Sequence, residues 1–149
     1  MRSPAELTMA FRAKGWKLTP QRQLLFKVLH DNQTHPTAEA VHAVASAQMP
    51  GISLRTVYQT LQELSLMGEL QAFDFGDGPL RFDPNVGDHQ HLLCRSCGRV
   101  ADVYVDRSPL VTDDGLNGFA IESTDIVFRG RCVACAPNSK QIPTDQSPT

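Results

Sequence analysis

Two Cys-x2-Cys pairs, Cys94/Cys97 and Cys132/Cys135, contain all four cysteines of the chain and stand thirty-four residues apart. Pairs at such spacing supply four thiolates, a closed tetrahedral set for zinc with no position left open for catalysis. The alternative is two disulfides or unrelated thiols. No apolar run approaches the length of a membrane span, and Glu6 interrupts the stretch where a signal peptide would carry its apolar core. The chain is therefore expected in the cytoplasm, where thiols stay reduced and closely paired cysteines more often hold metal than form bridges. Gly98, directly after the first pair, suits a tight turn around an ion. On this reading zinc staples a sheet too small to stand alone.

The fifteen residues from Asp88 to Asp102 also carry His89 and His91. If that stretch is extended, residues two apart share a face and both imidazoles reach one ion. A mixed set of nitrogens and carboxylates suits iron, manganese or zinc, and Asp83 and Asp102 are the candidate carboxylates. Surface histidines, or partners of the zinc ligands, are the alternative. A zinc deaminase would need an open zinc position and a His-x-Glu base. The chain reads His35-Pro36-Thr37 and His89-Gln90-His91 instead, so a role other than catalysis is expected. A zinc-stapled DNA-binding protein without metal sensing is a further alternative.

The first half of the chain reads as helices. Residues 4–15 place Leu7, Ala10, Phe11 and Lys14 at helical spacing. Thr19 and Pro20 are a helix N-cap and first-turn proline, followed by an expected core stripe of Leu24, Leu25, Val28 and Leu29. Thr37 caps a third helix that should bury Val41, Val44 and Ala45. A fourth begins at Ser53 and stops at Gly68, with Leu54, Val57, Leu61 and Leu64 inward and Arg55, Tyr58, Gln59 and Gln62 outward. Two strand-like runs then flank Gly76-Asp77-Gly78-Pro79, a hairpin signal. Helices followed by a two-stranded ribbon are the winged helix-turn-helix layout, and an outer face of Arg, Tyr and Gln suits base edges and phosphates. Arg55, Thr56, Tyr58 and Gln59 are the candidate DNA contacts on that helix. Arg22, beside Lys14 and Lys17, is a candidate phosphate contact, although a solvated face is the plainer reading of each.

The formal charge of −2 does not suggest a nucleic-acid binder, but up to Leu29 six cationic residues face one acid, Glu6. A basic front edge grips phosphates locally. Trp16 is expected in the core, and His30 and His42 are given no function. Residues 1–83 are expected to form the DNA-binding domain and 84–136 a dimerisation and metal-binding domain. Residues 84–88 form a hinge between them, and 137–149 are a disordered polar tail. In the second domain, strands are expected at "GRVADVYVD" and across "GFAIESTDIVFRGRC", with at most a short helix between them because of Pro109 and Gly115.

The stretches "LTPQR" (18–22), "HPTAEAVH" (35–42), "SLRTVYQTLQELSLMGEL" (53–70), "DHQHLLCRSCG" (88–98) and "GRCVAC" (130–135) resemble, in that order, the ferric-uptake-regulator (Fur) superfamily of metal-dependent bacterial repressors. The likeness runs from about Phe11 to Cys135. It implies an α+β chain: an N-terminal winged helix that binds DNA, then a small zinc-stapled α+β dimerisation domain. It further implies a homodimer on palindromic double-stranded operator DNA. The peroxide-sensing (PerR) branch holds its regulatory iron or manganese with three His and two Asp, and the matching positions are His35, Asp83, His89, His91 and Asp102. Iron-sensing members usually carry Glu where Asp102 stands. Their second site uses a His-His-Asp-His string and a histidine in the last strand. Here the string is Asp88-His89-Gln90-His91, and Thr124 stands in the last strand. The resemblance thus implies a repressor that senses hydrogen peroxide by iron-catalysed oxidation of His35 and His89. The alternative is an iron- or zinc-responsive repressor without ligand oxidation.

Overall fold

The computed structural model describes residues 1–76, 78–106, 113–122 and 124–136, the side chains of 113 and 114 excepted. Its described chain divides into two compact units, the first spanning Met1–Asp88 and the second beginning at His89. Residues 84–88 group with the first. The architecture is α+β, as expected. The expected disordered tail lies outside the described residues.

The first unit opens with four helices, α1 (Pro4–Ala13), α2 (Pro20–Leu29), α3 (Ala38–Gln48) and α4 (Leu54–Leu66). Each starts where a side-chain oxygen meets an otherwise unbonded first-turn amide. Ser3 and Glu6 form a reciprocal capping box on α1. The hydroxyls of Thr19, Thr37 and Ser53 accept from the amides of Arg22, Ala40 and Thr56. Leu7, Phe11, Leu25, Phe26, Leu29, Val41, Ala45, Val57, Leu61 and Leu64 build the core between the helices. Trp16 packs edge-on against Phe11 at 5.3 Å between ring centroids.

The helical stripes differ from expectation at their margins. Val44 and Leu54 are exposed. Leu54 is the first residue of α4, beyond the reach of the helices that cover Val57 and Leu61, and buried Thr60 fills the position further along. On α2 the fully buried residues are Leu25, Phe26 and Leu29, whereas Leu24 and Val28 lie at the core's rim. Phe26 stacks obliquely on Phe11 at 4.8 Å, which pulls the buried face of α2 round toward α1.

Arg22 overturns a second expectation. It is only 8% exposed. Its guanidinium pairs with Glu63 at 2.6 Å, donates to the Lys17 carbonyl and stands 5.6 Å above the Phe11 ring. An arginine whose donors are taken inside the fold is not a free phosphate contact. It ties the start of α2 to α4 instead.

The ribbon is β1 (Gln71–Phe73) paired antiparallel with β2 (Arg81–Asp83). Gly76 and Gly78, in the connection, adopt φ of 90° and 135°, a region that a Cβ disfavours. Asp77 of that turn is outside the described residues. Phe82 closes the helical core from below the ribbon.

The second unit contains β3 (Gln90–Cys94), β4 (Val100–Val103), the one-turn α5 (Asp113–Leu116) and β5 (Val127–Gly130). Strand order is β4-β3-β5, with β3 antiparallel to β4 and parallel to β5. One condition is met and one expectation corrected. The histidine-bearing stretch is extended, as one ion shared by His89 and His91 requires, and its strand occupies the centre of the sheet. The last expected strand is confined to four residues. The helix between them is short, as Gly115 requires. No helix among the described residues is long and apolar enough to cross a membrane.

Losing a buried donor that satisfies Glu63 leaves the carboxylate desolvated. Arg22→Ala is therefore expected to lower the unfolding free energy of the full chain by about 1–3 kcal/mol. Arg55→Ala, on the exposed face, should change it by less than about 0.5 kcal/mol. Urea titrations followed by helical circular dichroism read both, and an Arg22→Ala chain as stable as the wild type would return Arg22 to the surface.

Candidate metal centres and nucleic-acid face

The two cysteine pairs meet because β3 and β5 run parallel. Parallel neighbours end on the same side of a sheet, and each pair follows the C-terminal end of its strand. Cys94 is the last residue of β3, in register with Gly130, and Cys132 lies two residues beyond Gly130. Each pair then turns back on itself. The Gly98 amide donates to the Cys94 carbonyl at 2.9 Å, with Gly98 at φ 71°, and the Cys135 amide donates to the Cys132 carbonyl at 2.9 Å.

All four sulfurs lie within 4.8 Å of one another, and none is in a disulfide. The Sγ–Sγ distance of Cys97 and Cys132 is 3.8 Å. Zinc–thiolate bonds of about 2.3 Å in a tetrahedron place sulfurs about 3.8 Å apart, so the set fits zinc without rearrangement. The Cys132 amide donates to Cys94 Sγ at 3.3 Å. With the amide of Cys97, it lowers the Cys94 thiol to about 6. The crowding works the other way on Cys135, whose hydrogen bonds to the Cys132, Cys97 and Cys94 sulfurs push it up to about 12. Four thiols this close ionise together only around a cation. Cys94, Cys97, Cys132 and Cys135 are a structural zinc site.

The nitrogen and carboxylate donors divide between the units. In the first, His35 precedes Pro36 and the Thr37 cap of α3, at φ 49°. Three successive residues of β2 fix that loop. Arg81 Nη1 donates to the His35 carbonyl at 3.4 Å, and the Phe82 amide to the Pro36 carbonyl at 3.0 Å. Asp83 Oδ2 lies 3.3 Å from His35 Nε2. The other Asp83 oxygen accepts from the Asn85 amide at 2.8 Å, which orients the carboxylate. Both residues are 1% exposed. A left-handed backbone at a buried, non-glycine position is strain of the kind found at ligand sites.

In the second unit the register of β3 on β4 sets His91 directly opposite Asp102. Directly opposed residues share a face with Cβ atoms about 5 Å apart. His89 lies two residues before His91 and shares its side. The two Nε2 atoms are 3.1 Å apart, and His89 Nε2 is 3.6 Å from Asp102 Oδ1. Two imidazole nitrogens and a carboxylate oxygen converging on one point form part of a coordination shell for iron or manganese. Neither two donors nor three complete an octahedral ion alone.

On α4, Arg55, Tyr58, Gln59 and Gln62 are exposed and Thr56 is half-buried. The Thr56 hydroxyl stands 2.9 Å from Ser53 Oγ, and Gln59 donates to Glu63 at 3.2 Å. The Tyr58 hydroxyl donates to Glu39 of α3 at 2.6 Å. Sequence reasoning passed over both Glu39 and Glu63. They pair with residues nineteen and forty-one positions away, so no local signal announces them. His42 bonds the Ile52 carbonyl at 3.0 Å, a tie between α3 and the approach to α4.

Comparison with known proteins places this geometry in context. The sequence model of the Ferric uptake regulator family matches residues 13–128. The peroxide-responsive repressor PerR of Staphylococcus aureus is 35% identical over 97 residues, 65% of this chain and 66% of that protein, just under two thirds of its length. The ferric uptake regulator Fur of Helicobacter pylori superposes with a TM-score of 0.70 at 20% identity, covering 92% of this chain and 93% of that one. A zinc-bound manganese uptake regulator gives 0.64 at 25% identity over 88% and 99%.

Thiolate binding of zinc is in large part folding free energy for a small unit. Cys97→Ser is expected to release zinc and unfold the second unit together, with the first unit's helices retained. Metal analysis combined with limited proteolysis distinguishes the outcomes. A zinc-free variant whose second unit resists protease as the wild type does would refute the structural role.

Proposed function

The chain belongs to the ferric uptake regulator family, and from that premise we propose that it is a metal-dependent repressor which binds palindromic operator DNA as a homodimer and senses hydrogen peroxide. The observation that carries this reading is the composition and division of the nitrogen and carboxylate donors. His35 and Asp83 belong to the DNA-reading unit, and His89, His91 and Asp102 to the other. One ion drawing on both sets would have three nitrogens and two carboxylates. It would tie the reading helix to the second unit, so that metal binding and DNA binding strengthen each other reciprocally.

The reading surface proposed is the outer face of α4, with Arg55, Thr56, Tyr58 and Gln59 meeting phosphates and base edges in a major groove. The homodimer is supported by the open face of the second sheet. Leu92 and Phe128 sit side by side in register and are exposed. With Val133 they line a cavity of about 570 Å³. Among the described residues β5 is an edge strand of the sheet next to it. An exposed apolar patch on a soluble chain marks an interface.

Ferrous iron, held by these ligands, would activate peroxide catalytically and end in its starting oxidation state, so that both electrons peroxide takes up come from the ring. The balance at the protein is simple: one peroxide oxygen ends on the C2 of a ligand imidazole, the other leaves as water, and the ring loses two electrons. His35 and His89 are the proposed acceptors. The oxidised ring is a poorer ligand, so metal and then DNA are released. Asp102 in place of glutamate favours this over the second reading, an iron- or zinc-responsive repressor in which release follows metal loss alone.

Manganese should tighten binding to operator DNA by about 5- to 150-fold, the usual range of such coupling. Asp83→Ala should remove that dependence with zinc content and dimer retained, read by gel-shift titration and metal analysis. Equal affinity with and without manganese in the wild type would end the coupling idea. Brief peroxide treatment of iron-loaded protein should add one oxygen atom to the peptide holding His35 or His89, and manganese-loaded protein should stay unmodified. Mass spectrometry showing oxidation only at the zinc cysteines would select the second reading.

A further inference from the structure

The Tyr58–Glu39 hydrogen bond lies on the face assigned above to DNA, and the inference drawn from it rests on that assignment. Tyr58 is 44% exposed and Glu39 lies in the first turn of α3, also exposed. The two helices are already joined by buried contacts through Val41, Ala45, Val57 and Leu61. An exposed side-chain bond adds little stability to such a junction. Its effect is on what the tyrosine offers to a partner.

A phenol carries one proton to donate. At 2.6 Å that proton is committed to the Glu39 carboxylate. DNA phosphates only accept hydrogen bonds, so a tyrosine held this way has nothing to give them, and the adjacent carboxylate repels them. What remains for the duplex is the ring itself. An aromatic ring discriminates among bases by apolar contact, and in the major groove the apolar feature is the thymine methyl. We infer that Glu39 is a specificity-determining positioning residue, which holds the Tyr58 hydroxyl back so that the ring reads thymine methyl groups instead of gripping the backbone. The bond persists at neutral pH. It lowers the Glu39 carboxyl and raises the Tyr58 phenol, so the acid stays ionised and the phenol protonated.

The test uses the full zinc-loaded chain with manganese, and a duplex selected by it from random DNA. Each thymine is replaced singly by deoxyuridine, which deletes only the methyl. Wild type should lose about fourfold in affinity at one or more thymines, the equivalent of one buried methyl group. Glu39→Gln keeps an acceptor without the charge and should retain that loss. Glu39→Ala and Tyr58→Phe should both erase it, the substituted and unsubstituted duplexes then binding alike. Glu39→Ala should also bind unrelated duplexes more tightly than wild type, because Tyr58 is freed to donate to phosphate. A fourfold discrimination that survives in Glu39→Ala or in Tyr58→Phe overturns the inference, and so does a wild type indifferent to every methyl. If the wild type selects no duplex at all, the DNA-binding proposal falls and the inference with it.

Discussion

The parallel pairing of β3 with β5 is the constraint on which the second unit depends. Three strands of four or five residues bury too little to be stable alone. Parallel pairing requires a long crossover, here about thirty residues that hold the strand β4 and the one-turn α5. Such a connection is costly to close. In return, the parallel arrangement brings the two strand ends side by side, and each ends in a cysteine pair. An antiparallel partner would have sent the second pair to the far end of the sheet. Metal and strand pairing thus support each other: zinc closes the long crossover, and the sheet presents the sulfurs at tetrahedral spacing.

The same sheet fixes the other donors. Once β3 is central, its register on β4 decides which carboxylate faces which histidine, and His91 meets Asp102. A slip of one residue would turn Asp102 to the opposite face. In the first unit the corresponding role falls to β2, where Arg81, Phe82 and Asp83 in succession fasten the His35–Pro36 turn through a side chain, a backbone amide and a carboxylate. Ligand geometry in both units is therefore a by-product of strand placement.

That explains what was legible beforehand. Caps are local chemistry, so Thr19, Thr37 and Ser53 announced their helices to the residue. The cysteine spacing was legible for the same reason. Of the His/Asp set, His89, His91, Asp83 and Asp102 were candidates on their chemistry, whereas His35 entered only through the family resemblance. β3 was not legible. Its buried residues include Gln90 and His91, and its exposed ones include Leu92, so the apolar alternation that marks a strand is inverted there. Arg22 was misplaced because its environment is made by Glu63, forty-one residues away. A basic run beside a helix start reads as a phosphate grip until a distant carboxylate is known to sit there. The exposed Leu54 and Val44 show that helical period locates a stripe but not its margins, which the neighbouring helix decides.

The two donor sets differ in a way that bears on signalling. Four cysteines from a single unit can enclose an ion completely, and for so small a unit the binding free energy of that ion is in large part folding free energy. Such a site cannot report on metal supply without destroying the protein. The three histidines and two aspartates are instead divided between the two units, two residues in the first and three in the second. In the proposed scheme affinity therefore depends on both units contributing at once, so occupancy reports a conformation as well as a concentration. Under that proposal the first unit's two ligands, on β2 and on the turn before α3, would link occupancy of the site to DNA binding. In the same proposal, oxidation of His35 or of His89 would weaken the hold on a shared ion and with it the coupling to DNA.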